Sequence, residues 1–221
     1  MAEPRAAKVR VRSSKGRRAS SSRWLDRHIN DRFVQQARAE GFRSRAAYKL
    51  QEIDRKFALL QPGRRVIDLG SAPGGWVQVA AARGCRVIGV DLQEVAPLAG
   101  ATLLQGDIFE EATIAALREL AGGPAELVLS DLAAPATGQR TLDRLRAEAL
   151  AEAVLALLPE LLAPGGSLVL KLLRGADAGV AAAARRQFAQ TSRLRPEASR
   201  RGSSEIYLIG SGYRGEPSPP A

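Results

Sequence analysis

Val66-Ile67-Asp68-Leu69-Gly70-Ser71-Ala72-Pro73-Gly74-Gly75-Trp76 is an apolar run carrying one acid, then a glycine-rich turn, then helix-forming residues from Val77 onward. Strand, turn and helix in that order form the ligand-binding corner of a doubly wound α/β domain. The turn departs from the dinucleotide fingerprint, because Ala72 and Pro73 stand where G-x-G-x-x-G requires a second glycine and a spacer. That glycine lets a pyrophosphate reach the backbone, so its loss favours an adenosine cofactor without pyrophosphate, such as S-adenosylmethionine.

Outward from this corner, strands and helices alternate. Strands are expected at 65–69, 86–90, 102–104, 126–130, 167–172 and 205–211, with helices near 75–83, 111–121, 142–161 and 176–190. This alternation predicts a doubly wound α/β fold: a mainly parallel sheet with helices on both faces. On the N-terminal side, apolar residues at helical spacing predict two helices broken at Gly41, one through Trp24, Ile29, Phe33 and Ala37, the other through Ala47, Leu50, Ile53 and Phe57. Ser44 is the expected N-cap of the second. Three segments result: a basic arm at 1–22 expected to be disordered and to contact RNA, a folded domain at 23–214 that includes the helical prelude 23–60, and a proline-rich tail at 215–221 expected to be disordered.

The chain of 221 residues carries 33 Lys and Arg against 23 Asp and Glu. Residues 1–56 hold sixteen of the bases and six of the acids, which leaves seventeen of each for the remainder. The whole excess of +10 therefore sits on the N-terminal segment, a distribution suited to phosphate contact. The same Arg- and Ser-rich, acid-poor composition is also compatible with organellar targeting. Cys85 is the sole cysteine and His28 the sole histidine, which excludes an internal disulfide and a cysteine zinc site and leaves no metal centre expected. No membrane span or secretory segment is expected either, since no apolar run reaches about 18 residues.

In open α/β sheets ligands bind beyond the carboxyl ends of the strands. Asp68, Asp91, Asp107 and Asp131 fall at four successive strand ends, too regular a placement for turn caps alone. Asp91 suits ribose hydroxyls, and Asp107 suits the exocyclic amine of adenine. Lys171 interrupts the apolar run Ser167 to Leu173, where a lysine needs a partner, and it is expected in the same cleft as Asp131. Glu205 opens the last apolar run. An antiparallel last strand brings it to that cleft, a parallel one takes it away, and the residues alone leave both directions open.

These residues, in this order, resemble the FtsJ family of S-adenosylmethionine-dependent RNA ribose 2′-O-methyltransferases, with greatest likeness to its bacterial branch acting on a uridine of large-subunit ribosomal RNA. The likeness spans about 22–213, and it implies the α/β Rossmann-like S-adenosylmethionine-dependent methyltransferase fold, a mainly parallel sheet with an antiparallel last strand. It rests on Phe42-Arg43-Ser44-Arg45-Ala46-Ala47-Tyr48-Lys49-Leu50, on the stretch 68–76, on Ser130-Asp131, on Pro164-Gly165-Gly166 and on Lys171. It implies a catalytic set of Lys49, Asp131, Lys171 and Glu205, with Lys171 the proton acceptor or a charged group that steers the hydroxyl. It also implies cofactor contacts at Gly74, Trp76, Asp91, Asp107 and Asp131. The partner implied is large-subunit ribosomal RNA within an assembled or assembling subunit, and a monomer in the bacterial cytoplasm is expected. One departure stands out: after Asp131 the bacterial enzymes typically read Met-Ala-Pro-Asn-Met-Ser-Gly, and this chain reads Leu132-Ala133-Ala134-Pro135-Ala136-Thr137-Gly138.

Other classes fit less well. A hydride-transfer enzyme would need the missing glycine pattern. A carbon-5 methyltransferase needs a cysteine in the cleft, whereas Cys85 precedes the second strand. A base-amine methyltransferase usually carries Asn- or Asp-Pro-Pro-aromatic after the fourth strand, and Ser130-Asp131-Leu132-Ala133 lacks it. A non-catalytic ribosome-assembly factor would have no use for Lys171 in a buried strand.

Overall fold

The structure, a computed structural model, describes residues 31–175, 177–200 and 202–215. The expected arm at 1–22, Trp24, His28, Ile29 and the tail beyond 215 lie outside these residues. Elements follow in the order α1 (Arg32–Ala39), α2 (Ala46–Phe57), β1 (Arg65–Leu69), α3 (Gly75–Ala82), β2 (Arg86–Asp91), β3 (Ala101–Gln105), α4 (Glu111–Ala121), β4 (Ala125–Ser130), α5 (Arg140–Leu161), β5 (Leu162–Leu173), α6 (Ala178–Gln187), β6 (Phe188–Leu194) and β7 (Glu205–Tyr213).

The strands form one seven-stranded sheet in the order β3-β2-β1-β4-β5-β7-β6. The first five are parallel, and β7 runs antiparallel to both β5 and β6. Strand alternation divides the core in two. Val66, Leu127, Leu129, Val169, Tyr207 and Ile209 pack with α2 and α3 on one face. Ile67, Val128, Leu168, Leu170, Ile206 and Leu208 pack with α4, α5 and α6 on the other. Both faces are therefore covered, as the near-continuous apolar strands require.

Three local expectations change. The predicted helix 176–190 ends at Gln187, because Phe188 turns extended (φ −117°, ψ 149°) and begins β6. Only Phe188 of that strand is deeply buried, with its ring seated against Gly210, so an edge strand rich in Thr, Ser and Arg shows no apolar alternation in sequence. β7 is the expected antiparallel strand, yet it lies between β5 and β6, away from the sheet edge. Ser44 is not the N-cap of α2: the helix starts after Arg45, makes no side-chain cap, and leaves the Ser44 hydroxyl buried without a partner.

Candidate active site

Register explains how distant charges meet. Lys171 lies opposite Tyr207 in the β5–β7 ladder, and Leu173 opposite Glu205, so the antiparallel direction of β7 carries Glu205 to the carboxyl end of β5. Side chains of paired residues share a face. That face is the one covered by α2, which supplies Lys49. Asp131 follows directly on β4, the next strand over.

All four charged residues meet there. The Lys171 Nζ donates to the Asp131 backbone oxygen at 2.6 Å and lies 3.2 Å from its Oδ1. Lys49 Nζ lies 3.2 Å from Glu205 Oε2 and 4.0 Å from Asp131 Oδ2. Tyr207, which the sequence reading missed, completes the network: its hydroxyl donates to Asp131 Oδ1 at 2.7 Å and accepts from Lys49 Nζ at 3.1 Å. Burial, followed by the Asp131 and Glu205 carboxylates, pushes the Tyr207 hydroxyl well above its usual pKa, so it stays a donor. Two cations and two carboxylates balance, which is how lysines about nine-tenths buried remain tolerable.

The other half of the cleft lies over β1, β2 and β3. Gly74 sits at φ +107°, and a Cβ there would come within 2.8 Å of the Arg43 side chain, so the turn accepts only glycine without adjustment. Arg43 crosses this turn to donate to the Ala96 and Pro97 carbonyls at 2.6 and 2.7 Å. Asp91 Oδ2 accepts from the Ala72 backbone at 2.9 Å, and Oδ1 accepts from Gln93, which ties the turn to the end of β2. A cavity of about 390 Å³ opens beside it, with Asp91, Leu92, Asp107 and Ile108 on its wall. Trp76 is present differently from a wall residue: its ring is buried against Tyr207 (centroids 5.7 Å apart) and its indole N–H bonds the Ala46 carbonyl, so its side chain belongs to the core.

This half suits an adenosine ligand: two acids for hydroxyls and an amine, apolar Leu92 and Ile108 for a ring, and a turn whose Gly74 and Gly75 carry no side chain. Asp68 adds a third carboxyl, this one fully enclosed, with neither oxygen partnered within the described residues. Burial, then the Asp131 and Asp91 charges, raises its pKa well above the carboxylate range. Cys85 is buried at the amino end of β2, with its thiol donating to the Gln61 carbonyl at 3.3 Å, at the opposite end of the sheet from the cleft. Among the described residues no helix is long and apolar enough to cross a membrane.

Known proteins resemble this chain over most of its length. The chain is 49% identical to the ribosomal RNA large subunit methyltransferase E of Acidiphilium cryptum over 212 residues, 95% of this chain and 94% of that one. It is 47% identical to the protein of the same name from Rhodospirillum rubrum, covering 94% of this chain and 82% of that one. A Plasmodium falciparum structure assigned as a ribosomal RNA methyltransferase superposes with a TM-score of 0.72 at 26% identity, over 79% of this chain and all of that one (100%). Residues 42–213 match the family model of the FtsJ-like methyltransferases, from the Arg43 strap through Lys49 to the end of β7, and the chain belongs to that family.

Proposed function

We propose that the chain transfers a methyl group from S-adenosylmethionine to a uridine ribose 2′-hydroxyl in large-subunit ribosomal RNA. The observation that carries this reading is the convergence of Lys49, Lys171, Glu205 and Tyr207 on Asp131, beside a cavity suited to adenosine. The names of the relatives, ribosomal RNA large subunit methyltransferases, support the RNA substrate.

S-adenosylmethionine supplies, when bound, an electrophilic methyl group on a sulfonium. In this reading the Gly74 and Trp76 backbone and the acids Asp91, Asp107 and Asp131 hold it. The tetrad Lys49, Asp131, Lys171 and Glu205 orients the hydroxyl, and orientation can contribute about 7–11 kcal/mol to such a displacement. Lys171 takes the hydroxyl proton. To act as the base Lys171 first releases one proton of its ion-paired ammonium to solvent; the amine then keeps two N–H bonds for its Asp131 contacts and a lone pair for the hydroxyl proton. Positioned bases contribute about 10²–10⁴-fold. Lys171→Arg separates this role from charge steering, because a guanidinium stays charged: a base role predicts loss of turnover, a steering role its retention.

The reading extends to a monomer in the bacterial cytoplasm whose basic residues 1–22 contact the RNA. Deleting them is expected to flatten the salt dependence of RNA binding and spare cofactor affinity. The experiment for the function itself incubates the protein with methyl-labelled S-adenosylmethionine and undermethylated large subunits. An alkali-resistant label at one uridine is expected; label on a base, or none, overturns the reading.

A further inference from the structure

A second cavity, of about 200 Å³, lies at the carboxyl ends of β4 and β5, between the segment after Asp131 and α5. Lys171 and Glu205 stand on its wall and not on that of the cofactor cavity. The two cavities share Leu132, Ala133, Ala134 and Leu150, so the strand of chain leaving Asp131 is the partition between them. The remaining wall is mostly apolar, with Ala136 on the loop, Ala147 on α5 and Leu170 and Leu172 on β5, and Ser130 and Asp143 are its other polar members.

The loop is held from α5. Asp143 Oδ1 accepts from both the backbone N–H and the hydroxyl of Thr137 at 2.7 Å, and Oδ2 accepts from Gly138 at 3.3 Å. Exposed Arg140 and Arg144 on the same helix, and Arg174 just past β5, surround this region with cations suited to flanking phosphates.

We propose that this cavity receives the nucleobase of the acceptor nucleotide, swung out of the RNA stack, and selects a pyrimidine by size. The inference rests on the ribose methylation proposed above. A ribose whose 2′-oxygen lies at Lys171 carries its base one glycosidic bond away, and the cavity is the space that begins at Lys171. Splayed bases are the usual object of RNA sequence recognition, and a mostly apolar wall takes the face of a ring. The segment Leu132 to Ala136 then serves both ligands, with the cofactor on one side and the acceptor base on the other, and Asp143 acts as a positioning residue for that wall.

The test uses the full chain and undermethylated large subunits in which the uridine labelled in the mapping experiment is replaced by C, A or G. Wild type is expected to methylate U and C at similar rates and the purines at least roughly tenfold more slowly, the scale at which an apolar pocket discriminates by fit. Ala147→Leu, which fills the cavity from the helix, is expected to slow methylation of U roughly tenfold while S-adenosylhomocysteine affinity stays within about twofold. Ala136→Leu repeats the test from the loop, and the unchanged affinity reports a folded protein in each. Equal rates on all four bases overturn the proposal, as do unaltered rates in both filled variants, or sensitivity to the neighbouring base in place of the target. Absence of any labelled nucleotide with wild type is a failure of the ribose reading instead.

Discussion

The two halves of the cleft are assembled over different lengths of chain. In the cofactor half, Asp91 reaches a backbone amide nineteen residues away and Asp107 one two residues away. In the charged half, Lys49 meets Glu205 across 156 residues and Tyr207 across 158, and Tyr207 meets Asp131 across 76. The first half is made of turns that organise themselves as each strand ends. The second exists only once α2 and β7 have docked on the same face of the sheet, so its geometry depends on the whole fold and its side chains are fixed by packing as well as by charge.

Asp131 belongs to both halves, and its loss is expected to have the largest effect. Asp131→Ala leaves Lys49 with the Glu205 carboxylate and the Tyr207 hydroxyl, and removes both the Oδ1 partner of Lys171 and the acceptor of Tyr207. Methyl transfer is expected to fall by about 10³-fold or more, toward the upper part of the range for lost acid–base and positioning groups. Stability is expected to drop as well, since breaking a buried ion pair costs about 3–5 kcal/mol. A variant with normal melting and normal turnover would separate Asp131 from the network.

Asp91→Ala attacks the cofactor half alone. Losing a charged acceptor is expected to weaken S-adenosylhomocysteine binding roughly 10- to 100-fold, following about 1.5–3 kcal/mol for such hydrogen bonds. Saturating cofactor should then restore most of the turnover. A kcat defect that persists at saturation would mean that the halves are not independent.

Tyr207→Phe keeps the ring against Trp76 and removes only the hydroxyl. A kcat reduction of about tenfold with unchanged cofactor affinity is expected from the loss of one charge-assisted bond. A change in cofactor affinity in place of kcat would reassign Tyr207 to the other half.

The smallest effect concerns Asp68, beneath the cofactor turn. Its folded pKa is raised by burial, so the native state holds this proton more tightly than the unfolded chain, where the value is about 3.9. Its favourable contribution is full below that unfolded value and declines as pH rises through the folded one. Asp68→Asn removes this titration, so its melting temperature relative to wild type is expected to increase between pH 5 and pH 8. Parallel melting curves across that range would place the Asp68 charge outside the stability balance.

The same contrast governs what could be read from sequence. The β1 turn, Asp91 and Asp107 were legible because each depends on its neighbours in sequence. Lys171 was legible because a cation inside an apolar run demands a partner. Glu205 needed a strand direction that local residues do not encode, and β5 pairing supplies it. Tyr207 was invisible because a tyrosine in Ile206-Tyr207-Leu208-Ile209 reads as core; its ring is core, and only its hydroxyl reaches the cleft. Edge strand β6 was missed because its pairing with β7, and not an apolar pattern, makes it a strand.

The central claim is that a methyl-donor half and an acceptor half meet at Asp131 and can be separated. Lys171→Ala tests it most directly, with S-adenosylhomocysteine titration and methyl transfer to undermethylated large subunits measured on the same preparation. Affinity within about twofold of wild type, with transfer reduced by about 10²–10⁴-fold, is predicted. Transfer near the wild-type rate, or affinity lost in step with transfer, would contradict it.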